Sequence, residues 1–314
     1  IITITFGLVF NSVQANTVTF AFNEVFGVNR MWFGIILTTL TFLVIFGGIH
    51  RIAVISGILV PLMAIAYILL AVYILFTHLG TLPHVVGMIF SNALGFEQFA
   101  GGGLGVIVMQ GIRRGLFSNE AGMGSAPNAA ATADVSHPAK QGLIQALSVF
   151  TDTLIICSCT AFIILLSDVP LDGSIKGIQL TQMALTHQIG SAGGQFIAIA
   201  ILLFAFSSIV GNYSYCETNL LFISKNKKYL QVYRIAVGGM VMFGSIAALD
   251  LVWNLADFAM AIMTIINLAA IVLLGKVALK ALQDYQRQRR ISKKNIVFKA
   301  SSIPELKDST SEWE

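Results

Sequence analysis

Long apolar stretches, broken by short polar joints, run along nearly the whole chain. A helix needs about 20 mostly apolar residues to cross the hydrocarbon core of a bilayer. Stretches of that kind fall at 1–22, 31–49, 52–77, 84–112, 142–166, 194–223, 229–247 and 254–275. The pattern predicts an all-α integral membrane protein with eight crossings. The joints carry turn and breaker residues, as in Gly80-Thr81-Leu82-Pro83 and Val169-Pro170-Leu171-Asp172-Gly173. The exception is the connection at 113–141, which is long.

Composition agrees. Hydrophobic residues make up 56% of the 314 and charged residues only 11%, whereas an average soluble domain carries about 25% charged residues. Lipid is therefore the solvent for much of the surface. Cys157, Cys159 and Cys216 all lie in apolar stretches and lack the spacing of a zinc or redox motif, so they read as packing residues. The chain opens on Ile1 inside the run IITITFGLVF, without the basic region or cleavage site of a signal peptide. The expectation is a piece of a longer parent that begins inside a helix.

Charge sets the orientation. Alternating the crossings places Arg51, Arg113, Arg114, Lys140, Lys225, Lys227, Lys228, Arg234 and every basic residue from Lys276 onward on one side. Of the 19 Lys and Arg, only Arg30 and Lys176 fall on the other. Basic loops stay in the cytoplasm, so the C-terminus is expected inside. This divides the chain into a membrane domain over 1–280, incomplete at its N-terminus, and a basic cytoplasmic tail over 281–314. The tail reads as a topology determinant with a floppy end; attraction to anionic headgroups is its other reading.

Polar and glycine positions inside the crossings carry the candidate chemistry, because they are costly in lipid. Between Gly95 and Gly105 the fourth stretch reads GFEQFAGGGLG. Each glycine weakens a helix interior by about 1 kcal/mol relative to alanine. Gly101, Gly102 and Gly103 therefore fit either a helix that opens to line a binding cavity or close helix packing through the Gly101/Gly105 pair. The sixth stretch contains FAFSSIVGNYSYCE, where Ser207 and Ser208 supply adjacent hydroxyls and Asn212 lies one turn past Ser208. Hydroxyl oxygens suit a hard cation, yet serines more commonly bond back to their own helix, and the residues alone favour that reading. Asn11 and Gln14 share a helical face. Asp152 reads as a partner for a basic residue of the 113–141 connection, or as a gating or proton-linked acid; Asp257 and Asn267 are further intramembrane polar positions.

The run RRGLFSNEAGMGSAPNAAATADVSHPAKQGLIQALSVFTDTLIICSCTAF, beginning at Arg113, resembles the signature of the alanine/glycine:cation symporter family, the sodium:alanine symporters. VQANT at 13–17, GGIHRIAV at 47–54, FAFSSI at 204–209 and VWNLADFAMAIMTIINL at 252–268 fall in family order around it. The resemblance implies a leucine-transporter-type inverted-repeat bundle of ten core helices, of which this chain would supply core helices 3 to 10. It implies a substrate site at Gly101, Gly102 and Gly103 with Gln98 and Phe99 nearby, and a sodium site using Ser207 and Ser208. Asn212 stands where the family is associated with a tryptophan, which would enlarge the pocket and add an amide. Arg113, Arg114, Glu120 and Asp152 would be gating or structural, with Glu120 paired to one of the arginines.

The expected activity is sodium symport of a small neutral amino acid, alanine or glycine, across a bacterial-type inner membrane. Sodium is the coupling ion and no cofactor is implied; the partners are the amino acid, sodium and membrane lipid. A proton-coupled transporter of the same fold, using Asp152 or Asp257, is the alternative. The chain holds no HExxH motif, paired intramembrane aspartates or Gly-x-Ser-x-Gly elbow that would point to an enzyme. Its scattered polar positions do not form the ring of a channel filter.

Overall fold

The computed structural model describes residues 1–47, 49–94, 103–171, 173–292, 295–306 and 313, with side chains described for all of these except 49–56, 59, 94 and 103–107. The described residues contain helices and turns and no strand. An opening turn, Ile2–Ile4, and a π-helical stretch, Thr5–Phe10, lead into α1 (Asn11–Phe26). The order continues with α2 (Arg30–Gly47), α3 (Ile49–Thr77), α4 (Leu82–Leu94), α5 (Gly103–Asn119) and the short α6 (Ser125–Ala130). Next come α7 (Pro138–Phe150), a π-helical turn Thr151–Ile156, α8 (Cys157–Leu165), α9 (Ile178–Ile189), α10 (Ser191–Ile223), α11 (Lys227–Ile246) and α12 (Leu249–Ile291).

Among the described residues, five helical segments are long and apolar enough to cross a membrane: Arg30–Gly47, Val60–Thr77, Pro138–Leu165, Ser191–Ile223 and Leu249–Ile291. The eight apolar stretches of the sequence nevertheless all fall on helices where they are described. The first is interrupted by its π-helical stretch, the fourth runs through residues outside the described set, and α11 carries Lys227, Lys228 and Arg234. The sequence pattern overlooked α9, whose 12 residues are too few to cross and too polar to stand out.

Local chemistry sets the ends. Gly27, at φ 64°, adopts the left-handed conformation that closes α1, and its N–H donates to the Asn23 carbonyl at 2.9 Å. The Asn226 side chain caps α11 by accepting from the Lys228 N–H at 3.0 Å. His137 caps α7, with Pro138 at the first helical position.

The chain divides into two compact units, Ile1–Gly115 with Leu154–Met260, and Leu116–Thr153 with Ala261–Glu314. In the first, α1 packs against α10 and α11, and α2 packs against α11. Ala15, Val18, Leu37, Ala205, Ile209 and Val241 form one buried cluster there. A second joins Met63, Tyr67, Ala71 and Ile74 of α3 to Ile163, Ala184, Leu185, Ile197 and Ala200 of α8 to α10. Hydrocarbon gives apolar side chains little reason to prefer one another over lipid, so close backbone approach and interhelical hydrogen bonds decide the packing. Both are present: a Cβ at Gly244 would stand 2.1 Å from the Ser12 carbonyl oxygen of α1. The Asn16 amide donates to the Gly244 and Ala247 carbonyls at 2.8 and 2.9 Å, at the C-terminal end of α11.

In the second unit the tail departs from the floppy end expected of it. Ile296, Phe298, Ala300 and Ile303 are buried. The strap containing them donates from the Phe298 N–H to the Ser136 carbonyl at 2.9 Å and accepts from the Ser136 hydroxyl at the Ile296 carbonyl, 2.8 Å. His137 lies at the centre, fully buried, edge-on to Tyr285 and Phe298. Its Nδ1 accepts from the Ala139 N–H at 3.1 Å, so the proton sits on Nε2, which faces Asp284 Oδ2 at 3.4 Å. The apolar alternation of 296–303 provides the packing; the basic composition of the preceding run conceals it.

Two outcomes follow from these contacts. Gly244→Ala should lower the thermal midpoint of the purified protein by the equivalent of about 1–3 kcal/mol, because the methyl meets backbone that cannot yield. Gly239→Ala, which meets nothing within 4 Å, should leave it unchanged or raised. Burial lowers the pKa of His137 against the opposing pull of Asp284, with Lys140 also lowering it. A depressed histidine pKa stabilises the fold above the ordinary value of about 6.5 and loses that contribution as pH falls through the folded value. The protection factor of the Phe298 amide, its exchange rate relative to the intrinsic rate at the same pH, should therefore fall on acidification, and His137→Asn, which keeps a capping acceptor, should remove that fall.

Candidate functional site

Helix α10 carries the cation candidates. Ser207 and Ser208 each donate a hydroxyl hydrogen to the same Phe204 carbonyl, at 2.8 and 3.0 Å. This is the back-bonded arrangement that the residues alone favoured. Donation leaves the lone pairs of both oxygens as acceptors, on adjacent positions of a half-buried face. One turn on, Asn212 is buried and its Nδ2 donates to Asn11 Oδ1 at 3.0 Å. Asn11 in turn donates to the Gly7 carbonyl at 3.0 Å, where the backbone is π-helical. Asn212 thus binds α10 to the helix that opens the chain.

Of the substrate candidates near the glycine run, Gln98, Phe99, Gly101 and Gly102 lie outside the described residues, and Gly103 is the first residue of α5. Further along α5, Arg113 and Arg114 both approach Asp257 of α12, the first in direct contact and the second at 3.8 Å, with Arg114 also over the Trp253 ring. They line a cavity of about 620 Å³ with Lys176, Asp250, Trp253 and Asn254. The charge count sets Lys176 on the opposite side of the membrane from the two arginines, yet all three line this cavity. Asp257 is the shared partner of both guanidinium groups.

The signature run is a tightly turned connection in the second unit. Glu120 has φ 54°, Gly122 79° and Gly124 101°, three left-handed residues within five positions. Glu120 accepts from the Ser125 hydroxyl, and the Asn267 amide donates to the Gly122 carbonyl at 2.8 Å. Asp152 accepts from Ser118 at 2.6 Å, and Asn119 donates to Thr153 at 2.9 Å. Two expected pairings are corrected. Glu120 takes a hydroxyl and not an arginine, because both arginines go to Asp257. Asp152 takes a serine and not a basic residue, because Ser118 and Asp152 fall opposite one another where α5 ends and the π-helical turn begins. Burial raises the pKa of Glu120; the Ser125 hydrogen bond opposes this and the Asp152 charge adds to it.

Sequence reading missed a buried ion pair. Glu217 of α10 accepts from Arg234 of α11 at 3.0 Å, and both side chains are largely covered. Arg234 Nε donates to the Tyr213 hydroxyl at 2.7 Å, and the guanidinium lies 5.2 Å from the Phe46 ring centroid. The signal was present as an acid closing an apolar run and a base opening the next. Counting Arg234 only as a topology charge concealed it.

A family model described as the sodium:alanine symporter family matches residues 1–300. The chain is 54% identical to the amino-acid carrier protein AlsT of Bacillus subtilis (strain 168), over all 314 of its residues and 67% of that protein. It is 53% identical to the probable sodium/glutamine symporter GlnT of the same organism, over 95% of the chain and 63% of that protein. It is 36% identical to a sodium/proton-dependent alanine carrier protein of Bacillus sp. (strain PS3), over 90% of the chain and 67% of that protein. The chain thus spans about two thirds of the length of these relatives.

The Glu217–Arg234 pair sets a measurable expectation. Breaking a buried pair from one side leaves an uncompensated charge, at a cost of about 3–5 kcal/mol. Glu217→Gln and Arg234→Gln should each lower the thermal midpoint markedly, while the double variant recovers much of the loss. Additive effects of the two substitutions would show that the charges act independently.

Proposed function

Because the chain belongs to the sodium:alanine symporter family, we propose that it forms the greater part of a secondary active transporter importing a small neutral amino acid, alanine or glycine, by sodium symport. The observation that carries this reading is the face of α10, where two adjacent serine oxygens and a buried asparagine lie within two turns. The family's name supports sodium as the coupling ion. The leucine-transporter-type architecture, with eight crossings as core helices 3 to 10, belongs to the same proposal. So does a C-terminus on the cytoplasmic side of the inner membrane, supported by the basic residues of 225–234 and of the tail.

Ser207 and Ser208 would give oxygens to sodium. The substrate carboxylate would meet backbone amides near Gly101 to Gly103, flanked by Gln98 and Phe99. Arg113, Arg114, Glu120 and Asp152 would hold or gate the surrounding helices. A ligand shifts a conformational equilibrium only through its unequal affinity for the two states. Symport therefore requires sodium and the amino acid to favour the same closed state.

Proton coupling is the second reading, favoured by the sodium/proton wording in the name of one relative. Asp152 is the better placed acid for it, since Asp257 is engaged by Arg113. The identity to a relative named for glutamine makes that amino acid the competitor to test first.

Labelled alanine uptake into proteoliposomes containing the full-length parent tests the proposal. Accumulation above equilibrium under an inward sodium gradient is expected, and uptake driven by a pH gradient in sodium-free buffer would replace sodium with protons. Ser208→Ala should raise the half-saturating sodium concentration by roughly tenfold, since an oxygen contact to a charged group contributes about 1.5–3 kcal/mol. Unchanged sodium dependence would remove Ser208 from the site.

A further inference from the structure

A cavity of about 540 Å³ in the first unit takes no part in the transport reading. Helix α9 forms one wall of it. Gln179, Gln182, Met183 and Thr186 recur at helical spacing, so one face of α9 looks onto the cavity. Glu24 and Val25, near the end of α1, and Val169, beyond α8, form the rest with His187. The wall is fixed on its neighbours. Gln182 Nε2 donates to the Ala21 carbonyl at 3.0 Å, and Gln188 Nε2 donates to the Ile163 carbonyl at 2.7 Å. Helix α10 runs close beside it, since a Cβ at Gly194 would stand 2.8 Å from the Thr186 hydroxyl oxygen.

Two features indicate what the cavity takes. The Gln182 side chain is buried, and with Nε2 spent on Ala21 its Oε1 finds no hydrogen-bond partner among the described residues. A buried acceptor without a donor is costly, and a ligand N–H removes that cost. The second feature is charge. The lining holds one carboxylate, Glu24, no lysine or arginine, and the His187 imidazole, which can donate or accept. A cation is therefore complemented, whereas the carboxylate of an anion or zwitterion would meet no lysine or arginine. Oxygen ligands also suit a bare ion such as sodium. Val25, Val169 and Met183, however, present apolar surface that such an ion leaves unfilled and an alkyl chain covers.

We propose that this cavity binds a small primary alkylammonium ion. Its N–H groups are shared between the Glu24 carboxylate at the exposed rim and the buried Gln182 Oε1, and its chain lies against Val25, Val169 and Met183. An ammonium group has three donors, enough for both oxygens, with Gln179 or Thr186 to accept the third. The ligand class differs from the amino acid of the transport reading, so the two stand or fall separately.

Isothermal titration calorimetry of the purified full-length protein tests this, with n-butylammonium chloride titrated at constant sodium chloride concentration. Butylammonium should bind roughly tenfold more tightly than tetramethylammonium, which carries the charge but no N–H. Glu24→Gln, at an exposed position, should weaken butylammonium binding by roughly tenfold with an unchanged thermal midpoint. Met183→Trp, also exposed, should abolish binding by filling the apolar wall. Gln182→Met should bring the two cations to equal affinity. Equal binding of the two cations by the unaltered protein overturns the proposal, as does binding undiminished by Glu24→Gln or by Met183→Trp. Displacement of butylammonium by alanine at equal concentration overturns it in favour of a zwitterion, and displacement by sodium in favour of a bare ion. No heat of binding also overturns it. Binding is read directly, so none of these outcomes depends on which substrate is transported.

Discussion

The first unit depends on the approach of α11 to α1 at Gly244. Water expels apolar helices into one another, but hydrocarbon does not, so a bundle in lipid needs another reason to hold together. Here the absence of a side chain at Gly244 lets the backbone of α11 reach Ser12 of α1. Asn16 then places its amide on the carbonyls of Gly244 and Ala247. These carbonyls close α11, where the last carbonyls of a helix have no intrahelical partner. One glycine and one amide fix α1 against α11, and the buried residues around them follow.

Helix α10 is organised on the same principle. Asn212 binds it to α1 through Asn11, and Glu217 binds it to α11 through Arg234. Between the asparagine and the start of the helix sit Ser207 and Ser208, on a segment whose Ile197, Ala200 and Ala205 are packed in buried clusters. A cation site needs oxygens whose positions do not drift, and anchoring the helix on two neighbours supplies that rigidity. In the proposed sodium site the serines would thus be placed by residues outside it.

The second unit is held by turns and a strap. The signature run spends left-handed conformations at Glu120, Gly122 and Gly124 to fold back on itself and present the Gly122 carbonyl to Asn267. The strap at 295–306 encloses His137, which caps α7 and faces Asp284 of α12. One imidazole thereby joins a helix start, a helix end and the tail, with both ring nitrogens occupied.

The sequence by itself determined the solvent, the helical class and the family. Apolar runs of crossing length leave no other fold class in lipid, and the Arg113 to Pro127 motif carries the family. It also placed Ser207, Ser208 and Asn212 on one stretch of one helix, because helical spacing is local and can be counted. Tertiary structure decided which partners those residues meet. Asn212 finds Asn11 across 201 positions, Arg113 finds Asp257 and not Glu120, and Arg234 turns out to be a buried partner of Glu217 where charge counting made it a surface marker. Helix α9 and the strap emerged only in three dimensions, the one too short for the crossing pattern and the other hidden behind a basic run. The physical reason is common to all of these: local periodicity shows which face of a helix is apolar, whereas a hydrogen bond or ion pair depends on which second helix comes to lie against it.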